Sequence, residues 1–398
     1  MRASHIVQCC AATVVFLVAP GCDWKAPCTA RDADRCALES GAAWTAAYGQ
    51  VTGRLGPSRI APDGSTCLVR YLDSGGTEAA CIATDGHVVT RRPIGDGDVG
   101  RAGSGVALRD GHGHLHAIWH DGTAPLLYGR DDAAATTLDP DARAVDMTLD
   151  GDTPWVALVT GAGEPRLQHL VAGEWVAEAF PLPPRFDPGR TWAALKVRDG
   201  HAWLVYLTDA GLRAFSFDAG VELAPLADGE LTTGVDAAVD QAGGLTIAAG
   251  TKVFGQDAPS ALLVLVWRGD RWERHTLAST TLQVSAQPDV PSSYGTFGTV
   301  AMALDRSDHP HVLAAVGDGD RYYFIPIPSD APAWRTSVAR EWPFPGLDAT
   351  EPWRIGVGPA RMLDDGSLRL DGAIYHRGDA PSTSLQARGD RCGCAAPE

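Results

Sequence analysis

The chain has 398 residues, 45% hydrophobic and 21% charged with 12 Trp, a composition that excludes a disordered polypeptide, while 45 Gly and 27 Pro suit an all-β fold rich in turns. A formal net charge of -16, with no Lys/Arg stripe to override it, argues against a nucleic-acid partner because an anionic field repels phosphate. Length alone permits two or three domains, so the organisation has to come from the elements themselves.

At the N-terminus Arg2 precedes an apolar run over 6–19, followed by Pro20-Gly21-Cys22-Asp23. The run is too short to span a bilayer comfortably and has the layout of an export signal over 1–21. Ala19-Pro20-Gly21-Cys22 resembles a bacterial lipobox, in which a small residue precedes a Cys that is acylated and becomes the mature N-terminus. The resemblance implies lipidation at Cys22, with plain secretion as the second possibility. Residues 22–42 then read as anchor and polar tether.

Six cysteines follow Cys22: Cys28, Cys36, Cys67, Cys81, Cys392 and Cys394. An even number after export reads as disulfides. Cys67 and Cys81 lie in two strands joined through Asp73-Ser74-Gly75, and a three-residue hairpin loop there would set Leu72 opposite Gly76 and Cys67 opposite Cys81, the firmest pairing. Cys28 and Cys36 either bond to Cys392 and Cys394, stapling the two chain ends, or close a small loop of their own. The first pairing is favoured, since closing a long loop restricts the unfolded chain more.

From residue 58 one plan recurs seven times: a short apolar run, a turn rich in Asp and Gly, and a second apolar run. Residues 106–119, VALRDGHGHLHAIW, show it most clearly. The turn acids Asp63, Asp110, Asp150, Asp199, Asp240, Asp305 and Asp364 are separated by 47, 40, 49, 41, 65 and 59 residues. Roughly 40 to 50 residues is the period of a propeller blade, and the two longer gaps leave room for loop insertions over 285–297 and 343–352. The expectation is an all-β, seven-bladed β-propeller of four-stranded antiparallel blades over 43–398. Its last copy lacks a strand, and residues 43–51 are placed to supply it.

Chemistry is harder to select. His112, His114, His116 and His120 crowd one hairpin and suggest zinc, yet the position of His116 is held by Cys67, Trp155, Trp203, Thr246, His311 and Arg369 in the other copies, which suits packing better. Asp73, Asp121, Glu164, Asp209, Asp257, Asp318, Asp320 and Asp379 are expected on one face, with Asp318 and Asp320 the best Ca²⁺ candidates and no other cofactor expected. Turn chemistry also accounts for these acids. Tyr294, Trp342 and Trp353, in or beside the long insertions, are candidate ligand-binding aromatics. No Gly-x-Ser-x-Gly elbow occurs.

Asp110-Gly111-His112-Gly113-His114-Leu115-His116-Ala117 and Asp308-His309-Pro310-His311-Val312 resemble the Asp-x-x-Gly-x-x-His blade repeat of secreted bacterial propellers, a group compared with sialidases. The resemblance covers the repeat architecture over roughly 56–376, with no intact Asp box. It implies fold only. The expected function is a binding or scaffolding module at the bacterial cell envelope, exported and lipid-anchored on the periplasmic or outer surface, with an envelope protein or glycan as ligand. Membrane contact is expected through the anchor alone, and a monomer is expected. The alternative is a carbohydrate-active enzyme, glycosidase or sialidase-like, using acids in the central channel.

Overall fold

A computed structural model describes residues 45–50, 58–71, 76–83, 87–95, 105–120, 125–160, 162, 165–178, 193–208, 211–227, 229–253, 258–280, 282–283, 293–294, 296–304, 308, 310–318, 321–328, 353–363, 368–376 and 383–389. Every element among them is a strand. Sheet 1 comprises Arg59–Ile60, Thr66–Tyr71, Thr77–Ile82 and Val88–Gly95, each strand antiparallel to the one before it. Sheet 2 comprises Val106–Arg109, Leu115–His120, Leu126–Arg130 and Thr136–Asp139, and sheet 3 comprises Arg143–Asp150, Thr153–Val159, Pro165–Val171 and Glu174–Glu178. Ala193–Arg198, His201–Thr208, Gly211–Ser216 and Val221–Leu223 make sheet 4, and Glu230–Val239, Leu245–Val253, Ala261–Trp267 and Trp272–Ser279 make sheet 5.

Sheet 6 has three described strands, Thr296–Leu304, Pro310–Asp318 and Arg321–Pro328; the fourth strand expected near 333–339 lies outside the described residues. Sheet 7 has Trp353–Met362, Leu368–His376 and Thr383–Gly389, and its outermost strand is Thr45–Gln50 from the other end of the chain. That strand runs antiparallel to the third, with Thr45 opposite Arg388 and Gln50 opposite Thr383.

The first strand of each sheet packs against the first strand of the next, and the first strand of sheet 7 packs back against that of sheet 1. The apolar cores lie between neighbouring sheets. One joins Val69, Ala79 and Cys81 of sheet 1 to Leu115, Ala117 and Trp119 of sheet 2; another joins Trp203, Val205 and Leu212 of sheet 4 to Ile247, Leu263 and Leu265 of sheet 5. Sheets stacked face to face around a closed circuit fit a β-propeller.

Local chemistry explains the hairpins. Asp199 and Gly200 both adopt positive φ, 53° and 81°, the two-residue turn whose twist matches the strands it joins. Two expected boundaries are corrected. Phe297, placed at the end of an insertion, belongs to the first strand of sheet 6, which begins at Thr296, and it is buried in the core shared with sheet 5. The first strand of sheet 7 begins at Trp353 rather than near Ala360, because a bulge between Val357 and Ala360 lets pairing with the second strand continue.

Cys67 and Cys81 lie directly opposite each other, fully buried, and form a disulfide closing 14 residues of separation. The double substitution Cys67→Ala/Cys81→Ala is expected to cost about 3 kcal/mol, from the loop-closure entropy of a loop this size. A urea unfolding midpoint unchanged from that of the native chain would contradict this.

Candidate functional site

The turns between first and second strands are cross-linked from sheet to sheet. Within a turn, an acid caps the backbone. Asp63 Oδ1 accepts Ser65 N–H at 3.0 Å, Asp110 Oδ1 accepts His112 and His114 N–H at 3.0 and 2.7 Å, and Asp240 Oδ1 accepts Ala242 and Gly244 N–H at 2.9 and 2.7 Å. Between turns, Arg109 of sheet 2 pairs with Asp63 of sheet 1, and Asp152 of sheet 3 accepts Gly111 N–H of sheet 2 at 2.7 Å. Asp150 accepts both Asp199 and Gly200 N–H of sheet 4 at 2.7 Å. Asp308 accepts from Arg198 Nη1 at 2.8 Å and Gln241 N–H at 3.2 Å. These carboxylates are already committed to holding turns together.

One level down, the seven equivalent positions Cys67, His116, Trp155, Trp203, Thr246, His311 and Arg369 are all buried, none more than 8% exposed. Each lies opposite a first-strand residue at the same level: Arg59, Leu108, Thr148, Lys196, Ala238, Ala303 and Arg361. The repeat fixes where the side chain packs, and its chemistry varies.

Two further acids sit in equivalent places on first strands. Asp146 pairs across sheet 3 with Ala157, and Asp236 across sheet 5 with Ala248. Asp146 Oδ2 accepts Leu195 N–H of sheet 4 at 2.9 Å, and Asp236 Oδ2 accepts Met302 N–H of sheet 6 at 2.9 Å. A cation completes each: Arg59 of sheet 1 on Asp146, and Lys196 of sheet 4 on Asp236 at 2.7 Å. Arg59 thus links sheet 1 to sheet 3, two sheets further along the chain. Sequence reasoning missed these four residues, although the shared Val-Asp of Val145-Asp146 and Val235-Asp236 puts a carboxylate where an apolar residue belongs.

Three of the four histidines of the sheet 2 hairpin have a carboxylate partner. His112 Nδ1 lies 2.9 Å from Asp152, His114 Nδ1 2.7 Å from Asp131, and His116 Nε2 3.1 Å from Asp110. Of these histidines only His112 joins a group with metal-ligand spacing among the described residues: Asp110, His112 and Asp152 offer donor atoms all within 4.8 Å of one another. Yet Asp110 already accepts His112 N–H, His114 N–H and His116, while Asp152 accepts Gly111 N–H and holds His112, so a cation would have to displace existing partners.

Burial works to raise the Asp110 pKa, but hydrogen bonds from His116 and from His114 N–H outweigh it and hold the carboxyl below the ordinary range. Burial also opposes the fall at Asp63 and Asp131, which are likewise held low by their hydrogen bonds. The carboxyls with a displaced pKa among the described residues, Asp63, Asp110, Asp131, Glu230 and Glu273, are displaced downward, the opposite direction to a glycosidase acid.

Of the expected site residues, Cys22, Cys28, Cys36, Trp342, Asp320, Cys392 and Cys394 lie outside the described residues, as do Asp73, Asp121, Glu164, Asp209, Asp257 and Asp379. Tyr294 lies in a two-stranded ribbon, Leu282–Gln283 with Ser293–Tyr294, opposite Leu282. Trp353 opens the first strand of sheet 7 opposite His376, and Asp318 ends a strand opposite Arg321. Tyr294 and Trp353 therefore belong to separate elements.

No family model matches the chain, and no curated protein matches it. Among solved structures it is similar to AofleA from Arthrobotrys oligospora, at 12% identity over 89% of this chain and 94% of that one, with a TM-score of 0.35. The WD40 domain of SCAP from fission yeast aligns at 8% identity over 86% of this chain and 76% of that one, TM-score 0.36. Oligopeptidase B from Leishmania major aligns at 11% identity over 85% of this chain and 46% of that one, TM-score 0.39.

Two stability tests follow from the ring. Asp146→Ala and Asp236→Ala each remove the acceptor of two backbone N–H groups and the counter-charge of a cation beside the core, at an expected cost of about 3 kcal/mol; urea midpoints equal to that of the parent would contradict the role given to these acids. The two equivalent tryptophans should also differ. Trp203 Nε1 donates to Gly243 O of sheet 5 at 2.9 Å, whereas Trp155 Nε1 is buried with no hydrogen-bond partner and its ring stacks on His169 at 4.3 Å. The shorter Asp199-Gly200 turn brings no carbonyl to Trp155. Trp203→Phe is therefore expected to cost about 1 kcal/mol more than Trp155→Phe in paired urea melts.

Proposed function

We propose that the chain is a seven-bladed β-propeller, exported and lipid-anchored through Cys22, acting as a binding or scaffolding module at the bacterial cell envelope. The observation that carries this reading is the way the ring uses its charges. The turn acids cap backbone N–H groups and tie turn to turn, Asp146 and Asp236 tie sheet to sheet, and every carboxyl among the described residues whose pKa is displaced is displaced downward. Such a scaffold holds loops in fixed places and leaves recognition to them. The seventh blade in this reading is the sheet that receives Thr45–Gln50, so the tether leaves from the outer edge of the ring. A membrane anchor attached there would present the ring by its rim.

Metabolic labelling with an alkyne fatty acid in an expressing bacterium tests the anchor. The expected result is a labelled, membrane-associated chain that becomes unlabelled and released in Cys22→Ala. An unlabelled parent, or a Cys22→Ala chain still held at the membrane by washing, would remove the anchoring half of the proposal. The released Cys22→Ala chain then serves as probe: retention on envelope glycans or proteins without turnover is expected, and release of aglycone from chromogenic glycosides would favour the enzyme instead.

A further inference from the structure

We propose that the seam between sheets 7 and 1 binds a tetrahedral oxyanion, phosphate or sulfate, through a row of arginines that crosses sheet 7. Arg361, Arg369 and Arg388 lie directly opposite one another on its first, second and third strands, and Thr45 from the other end of the chain completes the row. Opposite residues on neighbouring strands share a face and stand about 5 Å apart, so three like-charged residues lie side by side, which costs stability unless something neutralises them. The four strands of sheet 7 carry Arg354, Arg361, Arg369 and Arg388 against one acid, Asp371, in a chain whose net charge is -16. An acidic protein keeps a basic island where its ring closes.

The row faces sheet 1. Cys67, Trp155 and Trp203, which hold the position of Arg369 in other sheets, each pack in the core shared with the following sheet, and the sheet that follows sheet 7 around the ring is sheet 1. Arg361 gives the same direction, since its Nη1 donates to Ile60 O of sheet 1 at 3.1 Å. Ile60 lies opposite Thr66, and both face back toward sheet 7, because their neighbours Ala61 and Cys67 belong to the core shared with sheet 2. Thr66 is 2% exposed, and its hydroxyl oxygen is buried with no hydrogen-bond partner. An unsatisfied hydroxyl beside the residue that Arg361 grips marks a place where a further polar group fits.

Burial sharpens the need for a counter-charge. Arg369 is 1% exposed, and a guanidinium does not shed its proton to escape burial. Across the seam, the one acid in the strands of sheet 1 is Glu78, which already accepts from Arg70 at 2.9 and 2.7 Å. Three guanidiniums less the carboxylate of Asp371 leave two positive charges, which a tetrahedral dianion neutralises. The forks of Arg361 and Arg369 can each donate to different oxygens of such an ion, and Thr66 Oγ1 can donate to another. A carboxylate has too few oxygens to serve them all. The depth of Arg369 selects a free ion over a phosphate carried on a lipid or glycan, and Arg361, partly exposed on the innermost strand, stands where it would enter.

The test is made on the full chain in chloride buffer of fixed ionic strength. Ion chromatography of the denatured chain measures anion already aboard, and calorimetric titration with inorganic phosphate, sulfate and acetate measures uptake. Together they are expected to show one phosphate or sulfate per chain, with acetate at least tenfold weaker. Arg361→Gln and Arg369→Gln should each weaken binding about tenfold, the loss of a charge-assisted hydrogen bond, and Arg268→Gln, in an exposed hairpin of sheet 5, should leave it unchanged. A parent that neither carries nor takes up either ion, as when Asp371 and the turn acids Asp364 and Asp365, which lie outside the described residues, neutralise the row, overturns the proposal. So does acetate binding as tightly as phosphate and sulfate, an affinity unmoved in Arg361→Gln and Arg369→Gln, or an equal loss in Arg268→Gln. If Arg369→Gln does not fold, Arg361→Gln decides alone.

Discussion

A ring of separate sheets depends on how its last seam is closed. Sheets 1 to 7 follow one another along the chain, so each is tied to its neighbour by the chain itself. The contact between sheets 7 and 1 has no such help. Here the problem is met by giving Thr45–Gln50 to sheet 7, where the six-residue pairing with Thr383–Arg388 joins the two ends of the chain through a backbone ladder. Opening the ring then means breaking hydrogen bonds as well as separating the apolar faces.

The inner edge of the ring poses a second version of that problem. A first strand is bonded to its second strand on one side only, and the N–H groups on the other side still need partners. Leu195 and Met302 are two such groups, and in both cases the partner is a carboxylate from the first strand of the preceding sheet. A carboxylate suits this place because it accepts from the next sheet's N–H and from its own chain at once, as Asp146 does with Met147 N–H and Asp236 with Ala237 N–H, both at 2.8 Å. Charges so near the core carry a desolvation cost, and Arg59 and Lys196 offset it. The sheets thus grip each other by apolar burial over most of their faces and by charge-assisted bonds next to the axis.

Much of this was legible in the sequence because it follows from periodicity. Strand alternation and turn residues located the hairpins, the spacing of the turn acids located the sheets, and the missing strand of the last copy pointed to residues 43–51. The boundaries that failed did so for a physical reason. Phe297 lies beyond the reach of the repeat pattern, near the start of a nine-residue strand, and the bulge between Val357 and Ala360 shifts the alternation, so that Trp353–Met362 does not read as one strand. The inner carboxylates escaped for a different reason. Nothing in a strand pattern says that an acid at an apolar position will meet an N–H from another sheet, since that partner is about 50 residues away at Leu195 and further still at Met302. The buried bonding of His116 was half visible: the position was recognisable as a packing site, but its hydroxyl partner Tyr128 follows only from the pairing of second and third strands.

The same comparison explains why the repeat is a poor guide to chemistry. At one level of the ring the seven copies place Cys, His, Trp, Trp, Thr, His and Arg, and the fold accommodates each by a different local solution: a disulfide to Cys81 for Cys67, a Tyr and an Asp for His116, a turn carbonyl for Trp203 and a stacked imidazole for Trp155. A position that tolerates all of these is selected for filling a gap between sheets. The acids of the turns behave likewise, since Asp63, Asp110, Asp150 and Asp240 each give at least one oxygen to backbone N–H groups of their own or the neighbouring turn. A ligand that sought out these carboxylates would have to loosen the ring to reach them. Recognition that leaves the ring intact therefore has to use side chains the ring does not need, which directs attention away from the repeated turns and toward the segments between sheets, where the repeat breaks down.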